Sequence, residues 1–307
     1  SDAHLLERIV VSDIRLACDR LHRVHEATAG RDGFVSIEVS PLVAHDAAAT
    51  IVEVERLWRE VGRPNLMVKI PGTREGIAAI ERSLSLGINV NVTLLFAVAR
   101  YREVFDAWAR ALEQRRERGE PLEGIASVAS FFVSRVDAKV DPALDGLRPT
   151  LGERAAALRG KIALANATLA YESFEQARSS ERIRALERAG AQPQRLLWAS
   201  TSPKDPAYGE LYYTEALVGP ATVDTMTLET VEAYLERGSP RATLLDADVR
   251  RCARGDVAAL AQLGLDLDAI TRALEEEGVQ AFTDSYRTSL AGIRRRRHAA
   301  TSAALSA

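Results

Sequence analysis

The chain has 307 residues, of which 47% are apolar and 27% charged, with a net charge of -3 at pH 7. This composition is that of an ordinary globular protein with a sizeable core, and it indicates neither a nucleic-acid partner nor a membrane span. The two cysteines, Cys18 and Cys252, lie far apart, which fits a reducing cytoplasm better than a disulfide framework or a metal site.

Six short apolar segments are predicted to be strands, because they are rich in aliphatic residues and are separated by segments with helical periodicity. They cover residues 34–39, 66–70, 89–95, 125–133, 195–200 and 222–226. The stretch from residue 136 to residue 191 is predicted to be mostly helical, with breaks at Pro142 and Pro149. Alternating strands and helices predict one α/β domain over residues 1–307, with a parallel sheet covered by helices.

Lys69 is unusual because it lies inside the second predicted strand, between Val68 and Ile70. Burying an ammonium group is costly and favours the neutral amine, which is the form that attacks a carbonyl in Schiff-base chemistry. On this stretch alone an alternative is equally good. Lys69 could lie at the strand's end, with its amine in water and no chemical role.

Polar side chains lie within or at the ends of several different strands. They are Glu38, Lys69, Asn91, Thr93, Ser130 and Arg135. No GxGxxG or P-loop motif follows the first strand, which disfavours a nucleotide-binding open sheet. In (β/α) barrels the active site is built at the carboxyl ends of the strands. The distribution therefore favours a TIM-type (β/α) barrel.

Five segments, in a fixed order, carry a resemblance to a known family. They read GFVSIEVSP (33–41), NLMVKIPGT (65–73), GINVNVTLLF (87–96), SVASFFVSRVD (127–137) and LWAST (197–201). Together they resemble transaldolase, in the bacterial branch that also occurs fused to a phosphoglucose isomerase. The resemblance extends from about residue 9 to the C-terminus. It implies a TIM-type barrel and a class I Schiff-base mechanism with no metal and no cofactor, in the pentose phosphate pathway.

The resemblance also implies the roles of individual residues. Lys69 falls on the Schiff-base lysine, Glu38 on a glutamate that moves protons with the help of a water, and Thr93 on the threonine that holds this water. Asn91 and Ser130 fall on residues that contact the dihydroxyacetone unit. An amine nucleophile needs such an acid/base partner to expel water and to move protons during carbon–carbon cleavage.

The phosphate of the substrate is expected at a second group of residues. Arg135 and Ser200 fall on phosphate-binding positions, and Phe132 lies at the aromatic position of the site. The better-known branch of the family has an arginine two residues after this serine. Here that position is Ser202, with Lys204 close by, so either of them could reach the phosphate.

The leading hypothesis is a cytoplasmic transaldolase that acts on sugar phosphates. It would convert sedoheptulose 7-phosphate and glyceraldehyde 3-phosphate into erythrose 4-phosphate and fructose 6-phosphate. One alternative is a class I aldolase of the same superfamily, and another is an inactive, incomplete barrel that acts as an association module. Structural roles are also possible for the site residues. Glu38 could be only a structural partner of Lys69, and Ser127 and Ser130 could be only packing residues. Arg135 could be an ion-pair partner of Asp137.

A closed barrel of this type needs eight strands, and only six are predicted. The family's first strand carries an aspartate used in proton transfer, and its second leads into a Thr-Asn-Pro segment; neither has a counterpart here. The apolar run at residues 9–11 is too short to supply two strands. The first two strand–helix units are therefore expected to be absent, leaving unpaired edges at strands 34–39 and 222–226. An upstream segment, a fused or partner chain or another copy could fill the gap, or the barrel could be open and largely inactive; the upstream segment is favoured.

Overall fold

The structure is a computed structural model that describes the backbone of residues 1–305 and the side chains of residues 1–298. Six parallel strands form one sheet, with the strands in chain order. They are β1 (Val35–Glu38), β2 (Leu66–Pro71), β3 (Val90–Leu95), β4 (Ser127–Phe132), β5 (Arg195–Ala199) and β6 (Thr222–Asp224). Each overlaps one of the predicted segments. Strands β3 and β4 are buried along their whole length, as expected of a parallel sheet that is covered on both faces.

Helices connect the strands and cover the sheet. They are α1 (Asp2–Ala27), α2 (Ala47–Val61), α3 (Gly76–Ser85), α4 (Val98–Glu117), α5 (Ser134–Leu151), α6 (Glu153–Ala156), α7 (Ile162–Arg178), α8 (Glu181–Arg188), α9 (Tyr212–Ala216), α10 (Leu228–Arg237), α11 (Ala247–Gln262) and α12 (Leu267–Leu305). Helix α2 shows how the sequence sets the ends: Asp46 caps its first turn and Gly62, at φ 62°, ends it. Among the described helices, none is both long and apolar enough to cross a bilayer.

The predicted breaks at Pro142 and Pro149 are wrong, because both residues lie inside α5. A proline in a helix removes one backbone hydrogen bond and disfavours the preceding turn, but tertiary contacts can override this cost. Two buried side chains of α5, Asp137 and Asp141, bind the backbone of the next segment at Ala163 and Gly160. These contacts hold the helix in place.

The strand register places three polar side chains in one row across the sheet. Glu38 of β1 pairs with Lys69 of β2, and Lys69 pairs with Asn91 of β3. Residues paired in register across parallel strands point to the same face of the sheet. The neighbours of Lys69 along the strand, Val68 and Ile70, are fully buried on the opposite face.

The sheet is open at β1 and β6 within the described residues. Strand β1 pairs only with β2 there, and β6 only with β5. Residues 2–27 form α1 and contribute no strand to either edge. The fold is thus α/β with a parallel six-stranded sheet, consistent with a TIM-type fold, and eight-stranded closure is not seen in this part of the chain.

Exposed apolar side chains lie on the helices next to the two open edges. On α10, after β6, they are Leu228, Val231 and Leu235; on α1, before β1, they include Leu5, Ile9 and Leu16. Each set recurs at helical spacing, so it forms a stripe along one face of its helix. Stripes of this kind mark surfaces that are covered by another part of a protein.

Candidate active site

The amine of Lys69 and the carboxylate of Glu38 form an ion pair, with Nζ and Oε1 2.8 Å apart. The two side chains are 25% and 36% exposed, respectively. Lys69 is therefore less buried than the sequence suggested, because its side chain faces a cavity instead of packed apolar groups. The carboxylate stabilises the ammonium and is also close enough to accept its proton directly.

Thr93 lies two residues after Asn91 on β3, and its hydroxyl is buried without a hydrogen-bond partner in the described part of the chain. It lines a small cavity together with Glu38 and Lys69, under Phe282 of α12. The cavity measures about 10 Å³, which is close to the minimum needed for one water molecule. An orphaned buried hydroxyl beside such a space is a natural binding partner for a water.

Asn91 connects hydroxyl groups on two other strands. Its side-chain amide donates to Ser36 Oγ at 3.1 Å, and its carbonyl oxygen accepts from Ser130 Oγ at 2.7 Å. Ser36 was not singled out from the sequence, although its position two residues before Glu38 puts it on the same face of β1. Ser127 has a separate, structural role, since it accepts from Gln194 and donates to the carbonyl of Val90.

The expected phosphate-binding residues lie where β4 and β5 end. Ser134, which begins α5, and Ser200, which follows β5, have hydroxyl oxygens 3.0 Å apart. Ser200 has a φ of 58°, a strained value for a residue other than glycine and one that occurs most often at functional sites. Like Ser36, Ser134 was given no role in the sequence analysis.

The guanidinium of Arg135 lies over the ring of Phe132, 5.4 Å from its centre. No carboxylate pairs with it among the residues whose side chains are described. The alternative of an Arg135–Asp137 ion pair is therefore wrong. An arginine stacked on a ring and left without a carboxylate is suited to binding an anionic ligand.

A larger cavity of about 500 Å³ lies beside Lys69 and Glu38, along the edge of β1. Ser36 lines it from the strand, and α1 and α12 form its outer walls, with Phe282 and Tyr286 on the side of α12. Its volume lies within the range of small-molecule sites. Lys204 lies away from this cavity, on an exposed segment after β5, where it lines a third cavity together with Ser134.

Comparison with known proteins gives one family. The family model described as Transaldolase/Fructose-6-phosphate aldolase matches residues 1–293. The protein named Transaldolase 1 from Streptomyces coelicolor is 46% identical over 285 residues, which cover 93% of this chain and 74% of that protein. A protein named Transaldolase from Thiobacillus denitrificans is 45% identical over 94% of this chain and 79% of its own length. The chain belongs to the transaldolase family.

Asp137, two residues after Arg135 on α5, is a buried and hydrogen-bonded carboxylate. It is 1% exposed and accepts hydrogen bonds from the backbone N–H of Ala163 at 2.7 Å and from the hydroxyl of Tyr213 at 3.0 Å. Burial raises the pKa of its carboxyl group to about 7, and the nearby charge of Asp141 adds to this effect. The two hydrogen bonds lower the pKa and so only partly offset the burial.

We expect Asp137→Asn to change how the stability of the protein depends on pH. The folded-state pKa of Asp137, about 7, lies above its ordinary value of 3.8, so ionisation favours the unfolded chain. The wild type should lose stability relative to the variant as the pH rises towards 7, with no further difference above it. Urea unfolding from about pH 5 to about pH 8 measures this. The exposed helix cap variant Asp46→Asn is the control, and parallel curves for wild type and Asp137→Asn would contradict the expectation.

Proposed function

We propose that this protein is a transaldolase that moves a dihydroxyacetone unit between sugar phosphates through a Schiff base on Lys69. The observation that carries the proposal is the 2.8 Å contact between Lys69 and Glu38 in a row with Asn91, in a chain of the transaldolase family. The proposed donor and acceptor pairs are sedoheptulose 7-phosphate with glyceraldehyde 3-phosphate, and fructose 6-phosphate with erythrose 4-phosphate. We also propose that residues 1–307 belong to one barrel domain and that the enzyme acts in the cytoplasm.

The contact between Lys69 and Glu38 supports a direct proton transfer. Glu38 takes a proton from the ammonium of Lys69, and the neutral amine attacks the ketone carbon of the donor. The resulting carbinolamine loses its hydroxyl as water after Glu38 returns the proton, which leaves an iminium ion. Cleavage of the next carbon–carbon bond then releases an aldehyde and leaves the dihydroxyacetone unit as an enamine on Lys69.

The unpartnered hydroxyl of Thr93 supports a role in holding a water in this cycle. A water in the small cavity beside Thr93 is within the space shared with Glu38 and Lys69. It can carry the proton of the sugar hydroxyl to Glu38 during cleavage, and it can act as the nucleophile when the imine is hydrolysed. When the enamine attacks the acceptor aldehyde, the same proton returns to the new hydroxyl.

Asn91 and Ser130 are proposed to bind the hydroxyl groups of the dihydroxyacetone unit. The hydrogen bond between them fixes the side-chain amide of Asn91, which also donates to Ser36 on its other side. Groups that are held by neighbours in this way bind a ligand with less loss of conformational freedom. Such positioning keeps the ketone carbon close to the amine.

Arg135 is proposed to bind the phosphate of the sugar, with Ser200 beside it and Phe132 fixing the guanidinium plane. A guanidinium binds phosphate through two parallel hydrogen bonds. Lys204 is the more suitable of the two remaining candidates, because it is exposed and charged and lines a cavity with Ser134, whereas Ser202 brings no charge.

The two alternatives are less well supported. A class I aldolase would use the same lysine, and the family description names both activities. The similar proteins reported above are named transaldolases, however, and the site retains the pair that both reactions need. An inactive module would have no use for an ion pair, an unpartnered hydroxyl and an unpaired arginine in one site.

We further propose that additional strand–helix units cover the open edges of the sheet, supplied from outside the described residues or by a partner. The free edges of β1 and β6 and the exposed stripes on α1 and α10 support this. Unpaired edges and exposed apolar stripes favour association. Glu38 lies on the edge strand β1, so the added units would also fix one wall of the active site.

The first test maps the covalent intermediate. The chain contains only four lysines, at positions 69, 139, 161 and 204, so the modified residue is easily assigned. We expect fructose 6-phosphate followed by borohydride to modify Lys69, because it is the lysine paired with a carboxylate inside the site. Mass spectrometry of the digested protein measures this. The variant Lys69→Arg should give no adduct and Lys161→Arg a normal one, and an adduct at another lysine would refute the assignment.

A second test concerns the phosphate. We expect Arg135→Ala to raise KM for fructose 6-phosphate by about 10- to 150-fold, which corresponds to the loss of one charged hydrogen bond. The KM for an unphosphorylated donor should stay nearly constant. The surface variant Arg188→Ala is the control. An equal loss for both donors would instead assign a structural role to Arg135.

A third test concerns the open edges. We expect the chain to self-associate as its concentration rises, and Leu235→Glu to reduce this, because Leu235 is 81% exposed on the stripe of α10. Sedimentation velocity measures the association. Val52→Glu introduces the same charge at an exposed residue of α2 and should have no effect. A chain that stays monomeric and fully active would show that the edges need no cover.

A further inference from the structure

The segment after β5 carries Lys204 and, together with the start of α9, is attached to neighbouring parts of the chain at three points. The carboxylate of Asp205, next to Lys204, accepts from Arg159 at 2.6 Å. The hydroxyl of Tyr208 donates to Asp141 of α5, and the hydroxyl of Tyr213 donates to Asp137 of the same helix. We call the four residues Asp137, Asp141, Tyr208 and Tyr213 the clasp.

The two aspartates of the clasp also bind the chain just before and at the start of α7. Asp141 accepts from the backbone N–H of Gly160 at 2.9 Å, and Asp137 from that of Ala163 at 2.7 Å. Both aspartates are buried, at 3% and 1% exposure. Each one therefore has one oxygen on a backbone amide and the other on a tyrosine. Buried carboxylates are tolerated only when they are hydrogen-bonded in this way, so the four bonds form one rigid unit.

The position of Tyr208 within the clasp is further fixed by its neighbours. Its ring stacks on that of Tyr212, with centres 5.1 Å apart. On another side it approaches Gly160 so closely that a Cβ at that position would lie 2.9 Å from the ring. A side chain there would displace the ring, so the glycine allows the close approach.

The clasp lies directly beside the proposed phosphate-binding residues. Asp137 is two residues after Arg135, in the first turn of α5, and Ser134 at the start of that turn contacts Ser200. The clasp residues line a cavity of about 330 Å³ that Ser134 and Lys204 also line. The clasp thus joins the two elements that carry the cations proposed for the phosphate: α5, which begins with Ser134 and Arg135, and the segment after β5, which carries Lys204.

We propose that the clasp positions Lys204 and Arg135 relative to each other and thereby sets the preference of the enzyme for phosphorylated sugars. This rests on the proposed function, since it takes Arg135 as the phosphate-binding arginine. The two cations belong to different segments, a helix start and a surface loop. Binding one phosphate from two such segments requires their separation to be fixed within about 0.5 Å, and a loop that lacks an anchor does not achieve this. The clasp residues are therefore positioning residues.

The test removes single hydroxyl groups. Tyr213→Phe and Tyr208→Phe each delete one bond of the clasp and keep the ring. Tyr171→Phe is the matched control: Tyr171 is as buried as Tyr213, at 1% exposure, and its hydroxyl donates to the carbonyl of Pro220 at 3.1 Å. The dissociation constant of inorganic phosphate is measured by calorimetry on the full chain, together with KM and kcat for fructose 6-phosphate and for an unphosphorylated donor.

We expect both clasp variants to weaken phosphate binding about 3- to 10-fold, in the range of one hydrogen bond. The KM for fructose 6-phosphate should rise in parallel, whereas kcat and the KM for the unphosphorylated donor should stay unchanged. Tyr171→Phe should behave like the wild type in all of these measurements. Equal phosphate affinity in all three variants, or a wild type that does not bind phosphate, would overturn the proposal. Failure of the Schiff-base mechanism is recognised separately, because it abolishes the borohydride adduct on Lys69 and leaves the calorimetric measurement of phosphate intact.

Discussion

The ion pair between Lys69 and Glu38 depends on the register of two parallel strands. A cation on the inner face of a sheet is tolerated only if its counter-charge lies on the neighbouring strand at the same level. A slip of one residue would turn Lys69 towards the helices and bring Val68 or Ile70 into the site. Both of these aliphatic residues are fully buried on the outer face. Their burial therefore fixes the register, and the register places the amine beside the carboxylate.

The open edge of the sheet affects this pair directly. Glu38 belongs to β1, which is an edge strand in the described part of the chain, whereas Lys69 and Asn91 lie on strands that are paired on both sides. The strand that carries the carboxylate is thus held by fewer backbone hydrogen bonds than the strand that carries the amine. Helices α1 and α12 wall the cavity on this side. Whatever covers the edge of β1 consequently influences the position of Glu38, the proposed acid/base group.

Much of the sheet and the row of polar residues across it could be predicted from the sequence, because both depend on local patterns. Apolar runs mark the strands, and Glu38, Lys69 and Asn91 each interrupt such a run. The clasp was not predictable, because its bonds join residues 67 and 76 positions apart. Ser36 was missed because serine at a strand position is unremarkable until a partner is known. The partial exposure of Lys69 depends on the cavity around it, which no local pattern describes.

The site contains two spaces of different size. This division fits a reaction in which bulk water is excluded from the sugar but one bound water takes part in proton transfer. The smaller space, beside Thr93, has room for about one water and lies next to Lys69 and Glu38. The larger one, along β1, has room for a sugar. A transferase must preserve the enamine until an acceptor arrives, so bulk water has to be excluded from the larger space when it is occupied. In the proposed mechanism a single water held by Thr93 serves the proton transfers in both directions, since the second half of the cycle reverses the first. Phe282 of α12 lines both spaces, and so do Glu38 and Lys69, so the two spaces meet at the ion pair.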